Sequence, residues 1–394
     1  MRKVKVLRII ARLNIGGPAI HVILLTEGLG SLRLNSLLVC GVISKDEGDM
    51  CYYAREKGVI PIVIPQLKRE LNLFNDFIAF LKILCLIITV KPDIIHTHTA
   101  KAGALGRLAG IICNFKLKKT RLVHTFHGHI FDGYFSPFRT KVFIFIERVL
   151  AIFTSKIITV SESVKSELVS LNVDKPSKIT VIPLGFELSK FLTVAPRINT
   201  VLSIGIVGRL VPIKNHILFL DSASRIIKQN PALKIEFKII GDGEIRSVLE
   251  KHTKNLGIEK YVHFLGWQKD LAMVYSDLDI VALTSLNEGT PVSLIEAMAA
   301  ARPIVATNVG GVSNILGNAR KDYSSGVYAF KVLERGLLVN PGDTAGFAAA
   351  MEFLLENRNI ANDMGVKGRE YASRQFNKER LVKDIETLYQ GLMA

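Results

Sequence analysis

The chain has 394 residues, long enough for two α/β domains that each bury a core without covalent staples. Its four cysteines, Cys40, Cys51, Cys85 and Cys113, contain no C-x-x-C pair. That argues against a zinc ribbon or a disulfide framework and favours buried small hydrophobes in a reducing compartment. The net charge of +16 is uneven: residues 1–197 hold 28 Lys+Arg against 14 Asp+Glu, and the remainder only 23 against 21. A basic first half suits an anionic membrane surface or acceptor, and nucleic acid is disfavoured because no helix-turn-helix, RNP-like or zinc-finger pattern accompanies it.

Met1 to Ala11 interleaves Arg2, Lys3, Lys5 and Arg8 with valine, leucine and isoleucine; it lacks a signal peptide's continuous apolar core and reads as a strand. In Asn14-Ile15-Gly16-Gly17-Pro18, Gly16 and Gly17 would let the backbone come close to a ligand. The loop is not G-x-G-x-x-G, and no acidic residue ends the second strand, Ser36–Val42, to hold an NAD ribose, so a dehydrogenase is disfavoured. Short apolar runs at Lys5–Ala11, Ser36–Val42, Val59–Ile64, Asp93–His96, Arg121–Phe126, Lys156–Val160 and Lys178–Ile182 alternate with helical patterns, the signature of a parallel sheet covered on both faces. Phe77–Val90 contains Lys82, is followed by Lys91-Pro92, and falls short of the roughly 20 apolar residues a bilayer span requires. It reads as a buried helix of a soluble protein.

His96-Thr97-His98-Thr99-Ala100-Lys101-Ala102-Gly103 and His124-Thr125-Phe126-His127-Gly128-His129 hold five of the nine histidines at strand ends, where ligands of open α/β sheets gather. Helical H-x₃-H spacing is missing and, of the carboxylates, only Asp93 and Asp132 lie close, which argues against a metal site. The histidines read either as polar lining for a sugar or acceptor, with His127 foremost, or as structural. Phe131 to Phe153 mixes Phe135, Phe138, Phe143, Phe145 and Phe153 with Arg139, Lys141 and Arg148. It suits either a helix at a membrane interface or a buried helix with snorkelling cations.

Pro183–Thr200 lacks a clear period and reads as a linker. Domains are expected over 1–190 and 198–375, with a helical tail, 376–394, carrying Leu381, Ile385 and Leu388, that could pack back across the linker. A second strand series is expected at Val201–Val207, Lys234–Ile240, Tyr261–Leu265, Asp279–Leu283 and Pro303–Ala306. After its first strand comes Gly208-Arg209-Leu210-Val211-Pro212-Ile213-Lys214, where Arg209 and Lys214 can bracket a diphosphate. After Asp279–Leu283 comes Asn287-Glu288-Gly289-Thr290-Pro291-Val292-Ser293-Leu294-Ile295-Glu296. A helix opening at Thr290, Pro291 and Val292 would present free N–H groups to a phosphate, with Glu288 before it and Glu296 inside it. Two carboxylates around a phosphate site suit a ligand with hydroxyls at both ends and a diphosphate between.

Together these segments resemble the retaining family-4 glycosyltransferases of GT-B fold, two Rossmann-like domains facing across a cleft, over essentially the whole chain. The resemblance is carried by the E-x₇-E pattern at Glu288 and Glu296, the Arg209 and Lys214 segment and the Gly16-Gly17 loop. The histidine segments look like those of bacterial members that build capsule, O-antigen and exopolysaccharide chains. The resemblance implies a nucleotide-sugar donor, UDP-linked as the family-level expectation, held by the second domain. Arg209 and Lys214 would bind its diphosphate, Glu296 its ribose, Glu288 and His127 its sugar, and Gly16 and Gly17 would approach the diphosphate. It also implies a lipid-linked or growing glycan acceptor on the first domain and no metal or other cofactor; the protein is expected to be cytoplasmic, with peripheral contact at the anionic inner membrane face through its basic first half. Gly241-Asp242-Gly243-Glu244 and Leu265-Gly266-Trp267 would lie near the base. A nucleotide-sugar 2-epimerase of the same architecture, a transferase with a soluble small-molecule acceptor and a non-catalytic sugar-nucleotide binder are the competing readings.

Overall fold

The computed structural model describes residues 3–30, 34–43, 48–68, 70–116, 120–128, 137–195, 201–324 and 329–394. The chain forms two compact units, Met1–Phe186 with Asn377–Ala394, and Glu187–Phe376.

The first unit runs β1 (Val4–Ile10), α1 (Gly17–Gly30), β2 (Leu34–Cys40), α2 (Cys51–Glu56), β3 (Ile62–Val63), α3 (Leu73–Val90), β4 (Ile94–His98), α4 (Ala100–Lys116), β5 (Arg121–Phe126), α5 (Pro137–Phe153), β6 (Lys156–Thr159), α6 (Glu162–Ser170) and β7 (Ile179–Val181). The strands pair in parallel in the order β3-β2-β1-β4-β5-β6-β7. Their side chains alternate between two cores, as the two-residue period of a strand requires. Leu7, Ile9 and Ile95 join Ala79, Ile83 and Ala109 of α3 and α4. Val6, Ile94 and Val123 join Leu25 and Leu29 of α1 with Leu381, Ile385 and Tyr389 of the last helix, α15 (Lys378–Met393).

The second unit runs α7 (Ser189–Leu192), β8 (Leu202–Val207), α8 (His216–Gln229), β9 (Ile235–Ile240), α9 (Arg246–Leu256), β10 (Val262–Gly266), α10 (Leu271–Ser276), β11 (Ile280–Leu283), α11 (Val292–Ala299), β12 (Ile304–Thr307), α12 (Val312–Leu316), β13 (Ala319–Ser324), β14 (Ala329–Leu333), β15 (Leu337–Val339), α13 (Thr344–Glu356) and α14 (Arg358–Gln375). Its sheet order is β10-β9-β8-β11-β12-β15-β14-β13, parallel as far as β15 and antiparallel beyond. The three added strands were not expected. β13, with the sequence ARKDYS, is an exposed polar edge with no apolar run to mark it.

Two expectations are corrected. α3 is not a buried helix: only Ala79, Ile83 and Ile87, spaced one turn apart, are buried, and most of its circumference faces outward. The cysteines are all free, but only Cys40 and Cys113 are buried, while Cys51 is half-buried and Cys85 lies on the exposed side of α3. Part of the expected linker, 196–200, lies outside the described residues, as do His129, Phe131 and Phe135.

Candidate active site

In the second unit β8 and β11 are parallel neighbours, so the segments that leave their carboxyl ends run side by side. Val207 of β8 leads into Gly208-Arg209, then a single 3₁₀ turn, Pro212–Lys214, and α8. Leu283 of β11 leads into the Glu288 loop. The Leu286 N–H donates to the Ile213 carbonyl at 2.8 Å, and the Thr284 hydroxyl donates to the Lys214 carbonyl at 2.9 Å. The stitching brings two of the expected residues together: the Lys214 ammonium is ion-paired with the Glu288 carboxylate. Ser285 Oγ donates to the same Glu288 oxygen at 2.6 Å. Arg209 is exposed and makes no side-chain hydrogen bond or ion pair among the described residues. Its guanidinium is therefore available to a ligand anion.

The Glu288 loop is held from behind by the turn after β12, where the Gly311 N–H donates to the Glu288 carbonyl at 3.1 Å. Gly310 there has φ +48°, and a Cβ on it would lie 1.8 Å from that carbonyl oxygen. Only glycine fits. Beside β8, Gly241 plays the corresponding part: its φ is +131°, and a Cβ would lie 1.9 Å from the Gly208 oxygen. The Gly241–Glu244 segment thus shapes the Arg209 turn. Trp267, in contrast, is 52% exposed and fills no core.

Thr290 is half-buried at the end of the loop, Pro291 caps α11 in extended conformation, and Val292 opens the helix. The first N–H groups of α11 have no intrahelical acceptor, so this end carries partial positive charge. Glu296, inside α11, makes no hydrogen bond or ion pair with Lys214 or Glu288, and among the described residues its side chain is held from elsewhere. Tyr275 of α10 holds it instead, with the phenol oxygen 3.0 Å from Glu296 Oε2. Burial pushes the Glu296 carboxyl up to about 7, partly offset by that hydrogen bond.

In the first unit a second cluster forms at the strand ends. Gly16 precedes α1 and buried Gly17 begins it. His21 on α1, His98 at the end of β4 and His127 just after β5 converge, with His98 Nδ1 2.9 Å from His127 Nε2. The His21 ring stands edge-on to both, its centroid 5.7 Å from that of His98 and 5.0 Å from that of His127. Neither nitrogen of His21 has a hydrogen-bond partner, and His98 Nε2 and His127 Nδ1 are likewise unpaired among the described residues. The three residues can offer nitrogens within 4.8 Å of one another, close enough to hold a metal ion. Linear spacing did not foresee this because His21 lies on a different element. Burial drives all three below the usual imidazole range, His127 to about 3, so they are neutral at physiological pH.

His96 and His124 are structural. His96 is fully buried between the Tyr389 hydroxyl at 2.6 Å and Thr125 Oγ1 at 2.7 Å, and His124 Nδ1 lies 2.8 Å from Thr97 Oγ1. Of the described histidines in the two segments, only His127 is partly exposed. Sequence reasoning missed His21, Tyr275, Ser285 and Gly310.

Residues 15–190 match the family model described as Glycosyltransferase Family 4, and residues 202–357 match that described as Glycosyl transferases group 1. The chain is a glycosyltransferase, a family-4 domain followed by a group-1 domain. This glycosyltransferase is 29% identical over 371 residues, 90% of its length and 89% of the relative's, to the UDP-Gal:alpha-D-GlcNAc-diphosphoundecaprenol alpha-1,3-galactosyltransferase of Escherichia coli. It is 25% identical to the capsular polysaccharide biosynthesis glycosyltransferase CapM of Staphylococcus aureus, over 89% of this chain and 90% of that one. Among solved structures, Anabaena HepE in complex with UDP aligns with a TM-score of 0.77 at 20% identity over 98% of this chain and 100% of HepE. Sucrose-phosphate synthase from Thermosynechococcus elongatus aligns with a TM-score of 0.76 at 19% identity, over 99% of each chain. The fold of the glycosyltransferase is therefore GT-B.

Proposed function

We propose that this glycosyltransferase moves a hexose or N-acetylhexosamine from a UDP-sugar to a lipid-linked or growing glycan acceptor in cell-surface polysaccharide synthesis. It would act on the cytoplasmic side, with retention at the anomeric carbon and without a divalent metal. The observation that carries the reading is the Lys214–Glu288 pair stitched beside the unpartnered Arg209. Arg209, Lys214 and the N–H groups of Thr290, Pro291's successor Val292 and the rest of the α11 turn supply positive charge for a departing diphosphate, the part a metal would otherwise play. Glu288, anchored by Ser285, would take donor sugar hydroxyls, and Glu296 the ribose. Neutral His127 would contact the sugar near its reacting face, and the Gly16-Gly17 turn would approach the diphosphate, with open space at Gly16, where an added Cβ would meet nothing closer than Pro18 Cδ at 3.8 Å.

Retention follows if the leaving phosphate accepts the proton of the attacking acceptor hydroxyl on the face it vacates, since no enzymic nucleophile is then needed. The UDP preference draws on the Escherichia coli relative's UDP-galactose and on the UDP bound in HepE. The lipid-linked acceptor draws on the diphosphoundecaprenol in that relative's name. A thermal-shift panel of UDP-, GDP- and ADP-sugars with and without EDTA tests the donor site. Stabilisation by the UDP series that survives chelation is expected; stabilisation by none, or only with metal, overturns the assignments. Donor incubated alone should keep its sugar configuration, because epimerisation without acceptor would identify a 2-epimerase.

A further inference from the structure

Three consecutive helices of the first unit leave an apolar face uncovered. On α3, Leu73 is 91% exposed and Phe74 74%, with Phe77, Leu81 and Ile88 also exposed. On α5, Phe138 is 76% exposed, Phe145 65% and Ile152 72%. α4 packs against both and carries Phe115, 77% exposed, whose ring centroid lies 6.4 Å from that of Phe153 on α5. By length and composition α3 is the one helix among the described residues apolar enough to cross a membrane. It cannot leave the fold to do so. Ala79, Ile83 and Ile87 are packed against the sheet, and β4 starts at Ile94, with the Asp93 N–H bonded to the Lys5 carbonyl. A patch of this kind on a folded protein marks an interaction surface.

The charges select the partner. The three helices contain two carboxylates, and each is neutralised within the fold: Asp76 by Lys101, and Glu147 by the fully buried Arg107 at 2.7 Å. The exposed charges on these helices are all cations, Lys82 on α3 and Arg139, Lys141 and Arg148 on α5, and Lys91 follows α3 directly. On α5 they alternate with the outward aromatics. A second copy of this chain would set those cations against their own kind across a two-fold axis. An anionic bilayer accepts both components: aromatics and aliphatics enter the acyl boundary while the cations meet the headgroups.

We propose that the outer face of α3, α4 and α5 docks into the interface of an anionic membrane by partial insertion of Phe74, Phe77, Phe138, Phe145 and Ile152. The lipid-linked acceptor of the proposed function gives this docking a purpose, but the contact itself is tested without transfer. The full-length protein is floated with equimolar phosphatidylglycerol and phosphatidylcholine vesicles, with phosphatidylcholine vesicles alone, and at high salt. Expected are flotation with the anionic vesicles, less with the neutral ones, and a salt-resistant remainder. Phe74→Asp with Phe77→Asp, and separately Phe145→Asp with Ile152→Asp, should each lower the bound fraction about tenfold or more.

Because these side chains are exposed, the variants should melt near the parent temperature. A Leu73→Trp reporter in a Trp267→Phe background, which removes the only native tryptophan, checks insertion without disrupting the face. Its emission should shift to the blue and be quenched by brominated acyl chains. No flotation, undiminished flotation of both variants, complete loss at high salt, a silent reporter, or a self-associated protein that these variants render monomeric would each overturn the proposal. Stabilisation by UDP is followed in the same variants. Its absence in all proteins strikes the donor-site reading, whereas lost flotation with UDP stabilisation intact is the result expected here.

Discussion

The phenol oxygen of Tyr275 lies 3.0 Å from Glu296 Oε2 and 3.0 Å from the Ser293 carbonyl oxygen. A phenol carries one proton, so it cannot donate fully to both acceptors. The proton goes to Glu296 when that carboxyl is ionised, the bond that lowers its value; when Glu296 is protonated it donates to the phenol, which then turns to Ser293. The carboxyl, raised to about 7 by burial, takes up a proton of its own readily. Two consequences have opposite signs. Between the ordinary carboxyl range and about 7 the folded state holds the extra proton, so this group favours folding at the acid end and loses that contribution as pH rises through 7. Ribose hydroxyls donate to Glu296 best when it is ionised, so donor affinity should strengthen from pH 6 to pH 8. Tyr275→Phe removes a hydrogen bond that lowers the Glu296 value, and should move the midpoint to higher pH. Glu296→Gln should flatten the profile and weaken donor binding about tenfold or more. Donor KM across this range is the measurement, and a flat wild-type profile would count against the ribose role.

The Lys214–Glu288 pair makes a different prediction. It is partly exposed, with side-chain exposures of 26% and 11%, and a pair of that kind contributes little to stability, about 1 kcal/mol or less. Lys214→Ala should therefore leave the melting temperature nearly unchanged while lowering kcat about 100-fold or more, since it removes a cation from the leaving diphosphate. Glu288→Gln should lower sugar transfer while preserving stabilisation by UDP alone, which lacks the hydroxyls it is assigned. Equal losses for UDP and UDP-sugar would mean that Glu288 acts by orienting Lys214 for the diphosphate and not on the sugar.

Much of this arrangement was legible in the sequence because it is local. Val/Ile runs ending in Gly-Arg or in His-Thr, and a proline opening a helix eight residues before Ala299, state both strand and site within one segment. What stayed hidden depends on contacts across segments. A lone His21 in an apolar helix looks like core, Tyr275 reaches Glu296 from another helix, and Gly310 matters only because the Glu288 carbonyl lies over it. α3 misled for a physical reason: a helix apolar on nearly every side shows no solvent face in its period, so sequence cannot distinguish one covered by protein from one left open to another apolar phase.

Gly310→Ala tests the hidden support of the Glu288 loop. The substitution meets a left-handed φ of +48° and a backbone oxygen 1.8 Å from the new carbon, neither of which a rotamer change can relieve. Destabilisation of about 2 kcal/mol or more is expected, a fall in melting temperature of roughly 5 °C for a unit of this size. The displaced loop should also lose donor-sugar stabilisation beyond the fall in melting temperature. An unaltered melting curve would mean that the turn after β12 can move away from Glu288.

The three converging histidines separate two chemistries through chelation. Neutral imidazoles with unpaired nitrogens can accept or donate to sugar hydroxyls, and the same nitrogens within 4.8 Å of one another can ligate an ion. If Arg209 and Lys214 carry the charge of the leaving diphosphate, turnover should be the same after exhaustive EDTA treatment as before it. His127→Ala should then lower kcat by about 10- to 100-fold, the size of one lost charge-free hydrogen bond at the reacting sugar plus the contact area of the ring. His21→Ala, which removes an edge-on neighbour of His127, should have a smaller effect of the same kind. Activity abolished by EDTA and restored by zinc, with His21→Ala as damaging as His127→Ala, would instead make the trio a metal centre and move His127 from the sugar to the ion.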